Sequence, residues 1–215
     1  MSINARTQAW SRQNFIQGAL GSGIEIWAHR DSGYSKRTLE NAQCDVTAAI
    51  AADYSTGGER LTKNMARDRY IPLPLFLDED VAGERLGALM LSKNAKTLNI
   101  AGNGIHTLGK KNWTQDAVDL WLFKCLAAAL SIHRPEWIQS GGQTGLDLSG
   151  AICAAHLGVP ALILLPAGFK QRGADGVDRV QDPVALLAEI EHRAALLPPF
   201  SKPTAAPLSF GPKTS

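Results

Sequence analysis

The sequence has little cysteine, no excess of charge of one sign and no long apolar run, and each of these absences excludes a class of protein. Its three cysteines, Cys44, Cys125 and Cys153, are odd in number and lack metal-ligand spacing, so we expect neither a disulfide framework nor a metal site. Twenty-two basic and 20 acidic residues leave a formal charge of only +2, which gives no strong field for a polyanion. No apolar run approaches the roughly 20 residues of a membrane helix, and residues 1–15 lack the apolar core of a signal peptide. We therefore expect a cytoplasmic protein without a membrane partner.

What is present is an alternation of short apolar runs and longer helical patterns in a chain that is 45% apolar. Strands are predicted at residues 23–29, 46–53, 70–76, 97–102, 137–142 and 161–166, and helices at 58–68, 114–133, 145–158 and 183–197. Pro72 and Pro74 mark the third strand as an edge strand. Strands that alternate with crossover helices predict an α/β protein, a Rossmann-like three-layer α/β/α fold with a mostly parallel sheet.

The two ends of the chain differ from this pattern. Residues 1–22 are predicted as a helical extension, because a short amphipathic helix fits the positions of Ala9, Trp10, Phe15, Ile16 and Leu20. Residues 23–197 form the predicted Rossmann-like domain. Residues 198–215 contain five prolines in 18 residues, which predicts an extended, flexible tail.

Four polar, glycine-rich loops follow predicted strands and carry the candidate ligand site. Ligands of such sheets bind beyond the carboxyl ends of the strands, and a glycine-rich turn into a helix points N–H groups at an anion. A phosphorylated nucleotide is therefore the expected ligand, although the absence of a Walker A or G-x-G-x-x-G sequence argues against an ATPase or an ordinary NAD-dependent dehydrogenase. The predicted ligand-binding residues are Asp53, Thr56, Gly57, Gly58, Gly102, Asn103, Gly104, Gly141, Gly142, Gln143, Thr144, Gly145, Asp147 and Lys170.

Several of these polar residues also have a purely structural interpretation. Glu59 and Asp147 each follow a threonine by three residues, which is the spacing of a capping box, so each either caps a helix or acts on the ligand. Asn103 either binds a base or ribose or forms an Asn-Gly turn.

Charged and aromatic residues near the same loops also have both a functional and a structural interpretation. Arg37 and Arg172 either clamp a phosphate or are surface charges. Tyr34 either stacks on a base or packs against the domain. His106 is a candidate general base, but the sequence shows no partner for it.

Two runs of the sequence resemble a known family. The run SGGQTGLDLSGAICAAHLGVPALILLPAGF, residues 140–169, is similar to the glycine-rich turn, alanine-rich helix and following strand of molybdenum-cofactor carrier proteins in the SLOG superfamily of Rossmann-like proteins. Residues 34–66 resemble that family's later segment, which ends in a TGG turn, with Glu59 and Arg60 in place of Thr-Ala. The two runs come in reversed order, so the chain resembles a circular permutant of the family.

The resemblance implies a small-molecule ligand, either a nucleotide or a compound like the molybdenum cofactor. The superfamily also includes phosphoribohydrolases, which implies an alternative activity, hydrolysis of a nucleotide N-glycosidic bond, with Glu59 and Arg60 as catalytic residues. A third alternative is nucleic-acid binding, as in the DNA-processing branch, which the near-neutral charge disfavours. Relatives in the superfamily commonly associate, so the resemblance allows a homo-oligomer.

Overall fold

Nine strands are present in the computed structural model, which describes residues 15–21, 23–31 and 33–200. They are β1 (Phe15–Leu20), β2 (Ile24–His29), β3 (Val46–Ala51), β4 (Tyr70–Pro74), β5 (Thr97–Gly102), β6 (Trp137–Ser140), β7 (Ala161–Leu165), β8 (Lys170–Arg172) and β9 (Asp178–Val180). Seven of them form one sheet in the order β1-β2-β7-β6-β5-β3-β4, and β8 and β9 form a separate hairpin. Only the pairing of β1 with β2 is antiparallel in the large sheet.

Helices cover both faces of this sheet. They are α1 (Tyr34–Asn41), α2 (Gly57–Ala66), α3 (Glu79–Ser92), α4 (Ile105–Gly109), α5 (Gln115–Ile132), α6 (Leu146–Leu157) and α7 (Pro183–Ala195), with a 3₁₀ turn at Arg67–Arg69. Helix α1 packs against α2, whereas α3, α5, α6 and α7 pack side by side in that order. Ile100 of β5 faces Gly150 of α6, and the next residue, Ala101, faces the α1–α2 side, because successive strand residues point to opposite faces. The predicted Rossmann-like three-layer architecture is confirmed.

The hydrophobic core is formed mainly by strands and helices that are buried on more than one side. Every residue of β3 and of β7 is buried, as expected for parallel strands covered by helices on both faces. Nearly every residue of α6 is buried between the sheet and its two neighbouring helices. Helix α3 approaches α5 closely, since a Cβ atom added at Gly87 would lie 2.9 Å from the Ala129 carbonyl oxygen.

The N-terminal prediction is wrong where the structure describes it. Phe15–Leu20 form strand β1 instead of a helix, and this strand pairs with β2 with an irregular register between Gln17 and Ala19. Pairing with β2 stabilises this segment as a strand. A short helix, by contrast, is marginally stable without tertiary packing. The rest of the predicted extension, residues 1–14 and Ser22, lies outside the described residues.

The predicted C-terminal tail begins within the described residues. His156 Nε2 lies 2.7 Å from the Pro198 carbonyl oxygen, and Phe200 packs against the hydrophobic core. Residues 201–215 lie outside the described part of the chain. Among the helices that the structure describes, none is long and apolar enough to cross a membrane.

Candidate functional site

The strand order creates a crevice between the carboxyl ends of β3 and β5. After β3 the chain enters α2 on one face of the sheet, whereas after β5 it enters α4 and α5 and continues to the other face. Connections that leave adjacent parallel strands toward opposite faces open a crevice, and this is where open α/β sheets bind ligands.

A two-lobed cleft occupies this crevice. The inner lobe encloses about 320 Å³ and the outer lobe about 340 Å³. Residues that line both lobes are Tyr34, Arg37, Gly57, Gly58, Glu59, Gly102, Asp147 and Arg172. The inner lobe adds Thr38, Asn41, Leu61, Thr62, Asn99, Ala101 and Gly141. The outer lobe adds Thr56, Asn103, Gly104, Ile105, His106, Thr107, Gln143 and Thr144.

A buried ion pair joins α1 to the start of α6 at the base of the cleft. Arg37 Nη1 donates hydrogen bonds to the Gly141 carbonyl oxygen at 2.6 Å and to Asp147 Oδ2 at 3.3 Å. Burial raises the pKa of Asp147, while the guanidinium of Arg37 opposes this shift. Arg37 Nε is buried and has no hydrogen-bond partner in the described chain. A Cβ atom at Gly141 would lie 1.9 Å from Arg37 Nη1, so a larger residue there would displace the ion pair.

Glu59 places a second carboxyl group on the cleft wall. The residue is 3% exposed, and its Oε2 has no hydrogen-bond partner among the described residues. Burial raises the pKa of Glu59 to about 8, and the charges of Asp147 and Asp53 add to the shift. Glu59 is therefore protonated near neutral pH, and a raised pKa beside a cleft is the environment of a general acid.

Two guanidinium groups lie close to the ring of Tyr34, which lines both lobes of the cleft. The Cζ atoms of Arg37 and Arg172 each lie 5.6 Å from the centre of its ring. Its hydroxyl donates a hydrogen bond of 2.9 Å to Asp178 Oδ2, and Arg172 Nε donates one of 2.8 Å to Asp178 Oδ1. The β8–β9 hairpin thus brings a cation and a carboxylate to the rim.

The N-terminus of α2 presents two glycines to the cleft. Thr56 caps this helix, since its Oγ1 accepts a hydrogen bond of 3.2 Å from the Glu59 N–H, as the capping-box spacing predicts. The Glu59 side chain does not complete the box, because it points into the cleft. A Cβ atom added at Gly57 or Gly58 would meet nothing within 4 Å, so both glycines border open space. As the first two residues of the helix, they carry N–H groups that have no acceptor within it.

The loop before α6 is built differently from its sequence prediction. Gly145 is the N-cap of α6, with φ of 95°, and the expected capping bond from Thr144 to Asp147 is absent from the described structure. Instead, Thr144 Oγ1 donates a hydrogen bond to the Arg172 carbonyl oxygen, and Gln143 bonds to the backbone of Lys170 and Arg172. Gln143 and Thr144 therefore hold the β8–β9 hairpin in place.

A polar network behind the cleft fixes Gly145. Gln115 accepts a hydrogen bond of 2.7 Å from the Gly145 N–H and donates one to its carbonyl oxygen. Asp119 accepts hydrogen bonds from Gln115 and Ser149 and pairs with Arg193 of α7. This α5–α6–α7 network locks the turn at the start of α6.

Asn103 is a structural residue at the cleft edge. The residue is 3% exposed, and its Oδ1 accepts hydrogen bonds from the N–H groups of Ala52 and Asp53. Its Nδ2 donates to the Asp53 carbonyl oxygen at 3.0 Å. Asn103 therefore ties the end of β5 to the loop after β3, and its amide is already used within the protein.

Five predicted site residues do not line the cleft. Asp53 closes a turn by accepting hydrogen bonds from Ser55, and the Arg60 guanidinium donates to the Ser55 carbonyl oxygen on the exposed side of α2. Lys170 contributes its carbonyl oxygen to Gln143. The other two residues are the buried glycines Gly142 and Gly145.

Gly142 and Gly145 serve the turn rather than the ligand. Both have positive φ, and a Cβ atom at Gly142 would lie 2.6 Å from Ile163 Cγ2. A Cβ atom at Gly145 would lie 2.5 Å from the Asn103 carbonyl oxygen. Bulky residues at either position would disturb the fold itself.

Sequence reasoning missed a polar row beneath the inner lobe. Thr47, Asn99 and Gln139 lie side by side on β3, β5 and β6, and all three are buried. Asn99 Nδ2 lies 3.4 Å from Thr47 Oγ1, and Gln139 Nε2 donates a hydrogen bond of 2.7 Å to Asn41 Oδ1. The available signal was a polar residue inside each of three predicted strands.

Comparison with known proteins identifies no relative of this chain. No protein-family model matches it. No curated protein and no solved structure matches it either.

Proposed function

We propose that this protein binds a phosphorylated nucleotide, or a compound of that type, in the two-lobed cleft. The observation that carries the proposal is the arrangement at the rim, where the helix N-terminus at Gly57 and Gly58 shares the cleft with Arg172. A helix N-terminus and an arginine are both favourable for a phosphate. The Tyr34 ring supplies an aromatic wall beside them. The resemblance of residues 34–66 and 140–169 to molybdenum-cofactor carrier proteins supports the same ligand class.

Gly58 offers a direct test of this placement. A Gly58→Val side chain has open space in the free protein, so the variant is expected to fold and to lose at least about tenfold in affinity for a nucleoside monophosphate. Gly109→Val is the matched control, because Gly109 is equally open and lies away from the cleft. Calorimetric titration of both variants with the four common nucleoside monophosphates measures the effect. Equal affinities of the two variants and the wild type would contradict the proposal.

A second candidate function, hydrolysis of a nucleotide N-glycosidic bond, is favoured by Glu59. A buried carboxyl group with a pKa of about 8 donates its proton to the departing base as the C–N bond breaks. The water that adds to the anomeric carbon then returns a proton to the Glu59 carboxylate. Arg60 does not reach the cleft, so the contact with the phosphate falls to Arg37 or Arg172.

Release of free base distinguishes hydrolysis from binding alone. Incubation with nucleoside monophosphates is expected to yield the base and ribose 5-phosphate, and Glu59→Gln is expected to stop the release while it keeps binding. Tight binding without base release over the whole panel would leave the protein a binder and reject the hydrolase.

A further inference from the structure

The inner lobe contains an unsatisfied polar atom that the fold does not explain. Asn99 is 1% exposed, and its Oδ1 has no hydrogen-bond partner in the described part of the chain. An unpaired buried carbonyl is costly, and nearly all such groups in proteins have a partner. Its neighbour Leu98 points to the opposite face and packs in the core, so Asn99 belongs to the face that carries the inner lobe.

Asn41 adds a hydrogen-bond donor on the same lobe. Its Oδ1 is occupied by Gln139 Nε2, which leaves the Nδ2 group to donate. The inner lobe thus combines one acceptor, Asn99 Oδ1, with one donor, Asn41 Nδ2. A neighbouring donor and acceptor on the edge of a planar heterocycle complement such a pair.

The charged residues of the cleft all lie on the wall that both lobes share, and they are Arg37, Glu59, Asp147 and Arg172. The residues that line only the inner lobe are all uncharged. A phosphate is therefore favoured at the shared wall and a neutral group in the inner lobe. The small residues Ala101 and Gly141 and the apolar side chain of Leu61 leave room there for a flat ring.

We infer that the inner lobe is the subsite for the hydrogen-bonding edge of a nucleobase-like heterocycle, with the Asn99 amide as its specificity determinant. This inference rests on the proposed binding of a nucleotide-like ligand and adds its orientation. The heterocycle lies inside, and the phosphate lies at the N-terminus of α2.

The experiment compares ligands with and without a base. Calorimetric titration of the wild type with AMP, GMP, CMP, UMP and ribose 5-phosphate is expected to show at least one monophosphate that binds about tenfold more tightly than ribose 5-phosphate. In Asn99→Leu this gain is expected to disappear, while the affinity for ribose 5-phosphate stays within about twofold. Thr47→Val is the control, because it removes the internal partner of Asn99 Nδ2 without lining the cleft.

The results distinguish the failure of the base subsite from the failure of the proposed nucleotide binding. If every monophosphate binds only as tightly as ribose 5-phosphate, or if the gain persists in Asn99→Leu, the inference is rejected and the phosphate site stands. If no phosphorylated compound binds at all, the proposed function fails and the inference fails with it. Asn99→Ala, which empties space instead of filling it, serves as the second variant if Asn99→Leu does not fold. The wild-type comparison alone still rejects the inference when the base adds no affinity.

Discussion

At the scale of single residues, this protein buries ionisable groups where they cost stability. Glu59 is shielded from water and faces the carboxylates of Asp147 and Asp53, with no cation bonded to it in the described structure. Asp147, by contrast, is buried against Arg37. A destabilised carboxyl group that faces a cleft is typical of a residue kept for function.

Glu59 gives a stability prediction with a defined pH window. Its pKa rises from 4.5 to about 8 on folding, so the folded state holds a proton that the unfolded state releases between these values. The contribution of Glu59 to the free energy of unfolding therefore falls as pH rises through this window. Glu59→Gln removes this penalty, so we expect it to match the wild type near pH 4 and to exceed it by about 4–5 kcal/mol at pH 8.5.

Urea unfolding at the two pH values measures this difference. Glu84→Gln is a suitable control, because Glu84 is exposed on α3 and lies outside the cleft. A stability difference between Glu59→Gln and the wild type that stayed constant from pH 4 to 8.5 would show that Glu59 is ionised in the folded protein.

At the scale of elements, the start of α6 depends on helices that do not line the cleft. Asp119 of α5 lies between Ser149 of α6 and Arg193 of α7, and Gln115 connects it to Gly145. Arg193 also pairs with Asp116, which is exposed. The same arginine thus has one buried and one exposed carboxylate partner.

These two partners give a matched pair of substitutions. Asp119→Ala leaves Arg193, Ser149 and Gln115 without a shared acceptor and is expected to cost about 3 kcal/mol of unfolding free energy. Asp116→Ala removes an ion pair whose carboxylate is 88% exposed, so we expect a cost below about 1 kcal/mol. Denaturant unfolding of both variants measures the difference. Similar costs for both would mean that the network does not hold α6.

The elements also show what the sequence could predict. The buried strands and the long helices were predictable because periodicity and local caps define them, as at α5 with Thr114 as its N-cap. Strand β1 was not, because it exists only through its pairing with β2. The cleft was predicted in part, since Gly57, Gly58, Glu59 and Asp147 line it as expected.

The remaining site residues depend on contacts that sequence patterns do not encode. Arg37 binds a carbonyl group 104 positions away, so its sequence context could not separate a buried clamp from a surface charge. The position of Asn99 in a polar row with Thr47 and Gln139 depends on the register of three strands, and the sequence does not give that register.

At the scale of the whole molecule, the cleft is assembled from distant parts of the chain. Tyr34 comes from α1, Gly58 from α2, Asp147 from α6 and Arg172 from the β8–β9 hairpin. A ligand that touches all four adds a further connection between these segments.

Binding is therefore expected to stabilise the entire domain. A nucleotide at 100 times its Kd adds about 2.7 kcal/mol, which corresponds to a rise in Tm of about 5–10 °C for a chain of this size. Hydrogen exchange should slow at α1 and at the β8–β9 hairpin as well as at Gly57–Glu59. Protection confined to one of these segments would show that the cleft does not act as one site.

The prolines of β4 affect how this edge of the sheet can pair with a strand from another copy of the chain. Leu75 N–H points inward and bonds to the Ala51 carbonyl oxygen, so the alternate positions Pro72 and Pro74 face outward. Their rings remove the N–H donors that an incoming strand would need, at the one sheet border next to the crevice. This border is therefore a poor template for pairing with a strand of another chain.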